Sequence, residues 1–244
     1  MTTSEKKYEF TGETKEVKGH ILRQIVAKKD FGDIKAGTHG GWIENHSNLS
    51  HEGDCWVYEY ANVWDKASVS GDAAIRDFAQ IFDHAEVSGQ AEISGDARVY
   101  GFAKVSGFAA VGENAHIYDQ AEISGQTRIS GDSRVFGNAK IYGRANIYLY
   151  AKIFGAAQVF GDAEVFQKAS VYDWARVYDS AKVFGNAKIY GRAEIYGEAQ
   201  VFEDAMVFDD AFVFDSARIH KNARVFYDAR IFHNEDVTKA IGGR

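Results

Sequence analysis

Proline is absent from all 244 residues, cysteine occurs once and methionine twice. Without proline, every backbone N–H past the N-terminus can donate a hydrogen bond, as a chain built from β-ladders requires. The lone Cys55 excludes an internal disulfide framework. No apolar run approaches the roughly eighteen residues of a membrane helix, because apolar and polar positions alternate almost throughout, and no membrane association is expected. The opening Met-Thr-Thr-Ser-Glu-Lys-Lys has no apolar stretch of the kind a secretory signal carries, so the expected location is the cytoplasm, bacterial or of an infected host. An excess of basic charge is missing as well. The net charge of −7 argues against direct nucleic-acid binding by phosphate neutralisation. The acidity is local: Ala193 to Ala217 holds seven acids and no Lys or Arg.

What the chain has instead is a period of six. Every sixth residue from Val57 to Ile231 is Val or Ile, thirty positions with no insertion or deletion. Two residues before each lies a small residue; of the twenty-nine positions from Ala61 to Ala229, only Thr127 and Ser133 are not Ala. Residues two apart on an extended strand share a side, so Ala and Val or Ile point inward while their neighbours point out. The next two positions form a corner, and its first residue is usually Gly or Asp, as at Gly137, Gly191, Asp119 and Asp173. Both types tolerate the positive φ of a tight bend. Helix is excluded by the alternation of period two. Three hexads close one triangular coil of eighteen residues, giving about ten coils stacked at roughly 4.8 Å. Residues 57–236 are therefore expected to form the solenoid, 1–56 an N-terminal β cap over its open edge, and 237–244 a short tail.

This pattern resembles the hexapeptide-repeat superfamily of left-handed parallel β-helices, and the hand is taken from that resemblance. The stretches Asp30 to Gly37, Gly40-Gly41-Trp42-Ile43-Glu44 and Asn48 to Tyr58 resemble the YdcK-like group of bacterial and phage solenoids. Members of the superfamily pack as homo-oligomers, commonly trimers, and some are CoA-dependent acyltransferases with a histidine base and loops inserted between hexads. The phage-like resemblance also implies a possible inhibitor of a host defence system.

Outward residues sort into three faces. On one, the position after Val or Ile is aromatic in every coil: Trp64, Phe82, Tyr100, Tyr118, Phe136, Phe154, Tyr172, Tyr190, Phe208 and Phe226. Such a column can stabilise a sheet through same-face neighbours or serve as the interface of a homo-oligomer, trimer or dimer. The second face runs Ser70, Ser88, Ser106, Ser124 and then turns aromatic at Tyr142; the third begins Tyr58, Arg76 and turns aromatic at Tyr148. Within the acidic segment, Tyr196, Phe202, Met206, Phe212 and Phe214 combine with Glu198, Glu203, Asp204, Asp209, Asp210 and Asp215. An apolar centre with an acidic rim suits a basic protein partner.

Catalytic signals are sparse. His84 and His233 sit at corners, His116 and His220 on strands, none with a partner nearby in sequence to orient it. His39, His46 and His51 lie within thirteen residues, but precede the repeat and read as polar loop residues more readily than as a zinc site. Cys55 falls in the inward Ala column and is expected to be a buried, inert thiol. The residues by themselves therefore favour a non-catalytic binding or scaffold rod without cofactor or metal. The alternative is a CoA-dependent acyltransferase working between protomers.

Overall fold

The computed structural model describes residues 6–243; residues 1–5 of the expected cap and Arg244 of the expected tail lie outside the described residues. Each hexad contributes a strand of two residues, three in one case, whose second residue is the inward Val or Ile. These strands stack into three parallel sheets that close an all-β triangular solenoid. Sheet A has 14 strands and includes Asn62–Val63; sheet B has 10 and includes Ser68–Val69; sheet C has 11 and includes Trp56–Val57. From Trp56 to Val237 the register between coils is eighteen residues, as in Arg98 opposite His116 and Val99 opposite Ile117.

The interior is the Ala and Val/Ile lattice read from the sequence, and the Val/Ile column from Val57 to Ile231 is no more than 2 % exposed. Three N–H groups of a typical hexad donate to the next coil: Arg98 to the Ala115 carbonyl (2.9 Å), Tyr100 to that of Ile117 (3.0 Å) and Phe102 to that of Asp119 (2.6 Å). A narrow triangular core admits only one small and one branched residue per edge. A larger residue in the Ala column meets close-packed neighbours on every side.

The ordered repeat starts earlier than residue 57. Ile43 and Leu49 are six apart and buried, and they pair in parallel with Val63 and Val69. Two extra residues in the Ser50 to Asp54 turn then stretch the step from Leu49 to Val57, which hides the period in the sequence. Gly41 takes the inward small position there, where a Cβ would lie 2.4 Å from the Tyr58 carbonyl oxygen. The repeat also ends later than expected: Val237 stays in the buried column, and Ile241–Gly242 pairs in parallel with the strand Arg224–Phe226.

The cap is a hairpin of β1 (Tyr8–Val17) and β2 (His20–Ala27), antiparallel to one another, which continues sheet A through β3 (His39–Ile43). Over the open end of the first coil, the buried Lys7 ammonium donates to the carbonyls of Gly53 (3.1 Å) and Cys55 (2.9 Å). Beside it the Tyr8 hydroxyl donates to the Leu49 carbonyl at 2.9 Å. These side chains satisfy carbonyls for which no preceding coil exists.

Thr127 and Ser133 replace Ala in the core, and their buried hydroxyls have no hydrogen-bond partner. A buried hydroxyl without a partner costs about 1–3 kcal/mol. Ser133→Ala is therefore expected to stabilise the solenoid by about 1 kcal/mol, read as a raised midpoint in urea at unchanged slope.

Candidate functional site

Charge distinguishes the three faces. On sheet B the outward column before Val or Ile alternates in sign and pairs across coils: Lys104 with Glu86 at 3.2 Å, Lys140 with Glu122 at 2.9 Å and Arg176 with Glu194 at 3.2 Å. Sheet C does the same with Lys182 and Glu164 at 2.9 Å, and the Arg76 guanidinium reaches Glu92 at 3.1 Å. On sheet A the same column reads Asn62, Gln80, Arg98, His116, Arg134, Lys152, Ser170, Lys188, Met206 and Arg224, with cations and no acid. Arg98, Arg134, Lys152, Lys188 and Arg224 make no ion pair with any of the described residues. Sequence reasoning sorted the position after Val or Ile and missed this one; the same eighteen-residue sorting of the preceding position finds it.

His116 lies in this column between Arg98 and Arg134, one coil from each. It packs edge-on to Tyr100 at 6.2 Å between ring centroids. Burial and then the two guanidinium groups hold its pKa below the ordinary 6.5, so the imidazole is neutral at physiological pH. Along the corner where the chain enters sheet A, Asp132, Arg134, Tyr150, Lys152, Lys168 and Ser170 line an open groove of about 530 Å³. Its three cations face one carboxylate, and Tyr150 presents an exposed ring.

The aromatic column of sheet A is an internal stack. Successive rings lie 4.6 to 5.5 Å apart and within 12° of parallel. Their faces are covered by one another, so they turn edges to solvent. Trp64 is buried, with the Lys18 ammonium of the hairpin over it and over Phe82. A homo-oligomer interface on this column would therefore meet the edges of these rings and not their faces.

The partner-binding set does not form one patch. Tyr196, Phe212 and Phe214 lie on sheet B, Phe202 on sheet C, and Met206 on sheet A, with the acids at three different corners. Several acids have a structural task that sequence alone did not suggest. Glu203, Asp209 and Asp215 occupy the positive-φ corner position, and each carboxylate accepts the backbone N–H one coil on, from Lys221, Tyr227 and His233 at 2.7, 3.0 and 3.2 Å. Glu194 pairs with Arg176, and Asp204 accepts from Asn186 at 2.9 Å. A second open groove, about 520 Å³, runs along one corner past Trp174, Arg192, Asp209, Asp210, Tyr227 and Asp228.

Two histidines gain the partners they lack in sequence. His220 Nε2 lies 2.5 Å from Asp236 and stacks on Phe202; His233 Nδ1 lies 3.0 Å from Asp215. Among the described residues neither imidazole hydrogen-bonds a hydroxyl or thiol. The three loop histidines do not converge: His39 faces Gln24, whereas His46 and His51 pack around Tyr8. The metal-like group among the described residues is instead His20, Glu44 and Asp65. There Nδ1 faces Glu44 at 3.2 Å and Nε2 faces Asp65 at 3.6 Å, so the ring links the hairpin to the first coil. Cys55 is buried, and that burial pushes its thiol pKa up despite the adjacent Lys7.

No family model matches the chain. One stretch of 52 residues is 48% identical to the "Uncharacterized acetyltransferase YdcK" of Escherichia coli (strain K12). The match covers 21% of this chain and 15% of that protein, well under two thirds of its length. With the β-solenoid, this partial likeness fits the hexapeptide-repeat superfamily. No helix among the described residues is long and apolar enough to cross a membrane.

Corner geometry marks the groove independently. Positive-φ corner residues are otherwise Gly or polar; the apolar exceptions are Leu149 (φ +62°), beside Tyr150, and the aromatic Tyr227 (φ +57°). A Cβ in that region costs roughly 1–2 kcal/mol. Leu149→Gly should raise stability by about 1 kcal/mol in thermal unfolding, less than the full strain because glycine loses more chain entropy on folding.

Proposed function

We propose that the chain is a transferase-type solenoid that moves an acyl group along sheet A, with His116 as the general base. The carrying observation is a neutral imidazole fixed between two guanidinium groups at the margin of a cationic groove. The partial likeness to a protein named an acetyltransferase supports this reading over a purely structural rod.

The groove suits a phosphate-bearing donor of the acyl-CoA type. Arg134, Lys152 and Lys168 provide unpaired positive charge for phosphates, and the exposed Tyr150 provides a ring against which a base can stack. Such a donor supplies an activated thioester. His116 takes the proton from the acceptor's hydroxyl or amine as that atom attacks the acyl carbon; the thioester C–S bond then breaks, and the departing thiolate takes the proton back from the imidazolium. The flanking cations keep the imidazole deprotonated and offset negative charge that develops on the acyl oxygen. No loop is inserted between hexads to wall off the site, so a second copy packed beside sheet A would have to exclude water from it.

The sign of the pH dependence follows from the lowered pKa. Neutral His116 is the active form, so the acid limb of kcat/KM should fall below pH 6.5, and Arg134→Gln should move it up toward 6.5. His116→Ala is expected to reduce kcat about 10²- to 10⁴-fold. Lys152→Ala and Lys168→Ala are expected to raise KM for the donor at little change in kcat. Wild-type turnover by His116→Ala would remove the histidine from the reaction.

A second reading rests on the same unbroken run of hexads: a non-catalytic rod that binds without turnover. It predicts donor binding in calorimetry and no transfer to any acceptor.

A further inference from the structure

Beyond the groove, the cation column continues up sheet A. Arg98, Arg134, Lys152, Lys188 and Arg224 stand on one line parallel to the solenoid axis, successive members one or two coils apart, about 5 to 10 Å. Sheets B and C are the internal control. They carry Lys and Arg in the equivalent columns too, but mixed with acids such as Glu86, Glu122, Glu164 and Glu194, and Lys104, Lys140, Arg176 and Lys182 pair with them across coils. Solubility alone does not require one face to omit its acids. The neighbouring aromatic column adds to the effect, because rings stacked face to face along the axis turn their electropositive edges outward. The face thus presents a straight line of spaced positive charge beside a ribbon of positive ring edges.

We propose that sheet A binds a linear, weakly acidic glycan, a polyuronate, laid along the axis with its carboxylates on this column. A straight polymer with a regular carboxylate repeat matches a straight row of fixed cations. Single-stranded nucleic acid fits less well, because bases need exposed ring faces on which to stack and these ring faces are covered. The inference concerns binding and stands whether or not the chain transfers an acyl group.

The test uses the full chain and fluorescently labelled oligogalacturonate in anisotropy titrations, with galacturonic acid monomer and oligothymidylate as comparison ligands. Lys188→Glu with Arg224→Glu, four and six coils from His116, is expected to weaken oligogalacturonate binding at least about tenfold. Lys140→Glu with Lys182→Glu makes the same change in net charge on sheets B and C and is expected to leave binding within about twofold. Circular dichroism melts of both double variants verify folding. Equal losses in the two double variants would reduce the effect to bulk charge and overturn the proposal. Monomer binding as tight as oligomer binding would overturn the linear mode, and a preference for oligothymidylate would overturn the glycan. Failure of acyl transfer with glycan binding intact would count against His116 chemistry alone.

Discussion

Everything in this molecule depends on the parallel hydrogen-bonded ladder between coils offset by eighteen residues. A two-residue strand cannot persist alone; it exists because its N–H and carbonyl groups are paired above and below by identical geometry. That ladder fixes the spacing of every column, inward and outward. The interior must then be filled by a small and a branched residue at every edge, and the exterior becomes a set of straight columns at about 4.8 Å. The absence of proline belongs to the same constraint, since a missing N–H in any strand would open the ladder.

Columns at this spacing make neighbours of residues eighteen apart, and chemistry follows from which types share a column. Like aromatics stack, opposite charges pair, and corner carboxylates accept the N–H of the next corner. Most of the surface is satisfied within the chain by these rules. Sheet A departs from them: its cations lack acids, His116 sits among them, and at a corner beside it Leu149 holds a conformation that suits glycine. Departures of this kind mark a site better than composition does, because a uniform repeat supplies its own baseline.

The acidic segment shows where composition misleads. Seven acids without a base read as a docking rim, yet the coil places Glu203, Asp209 and Asp215 at three corners as backbone acceptors. The apolar residues between them face three directions. Clustering in sequence is not clustering in space once a chain turns a corner every six residues.

The sequence by itself determined the solenoid, its inward lattice, its corners and its three outward faces, because a strict period of six fixes which residues point inward and where the chain turns. It also contained the unpaired cation column, legible by counting in eighteens. Other features depended on tertiary structure. Two extra residues before Val57 concealed that Ile43 and Leu49 belong to the repeat, and only pairing with Val63 and Val69 reveals it. The orientation of the aromatic rings, edges outward, follows from stacking. The lowered pKa of His116 follows from burial and from two guanidinium groups that are far off in sequence and adjacent in space. Periodicity fixes which residues share a column; contact between coils decides what each column can do.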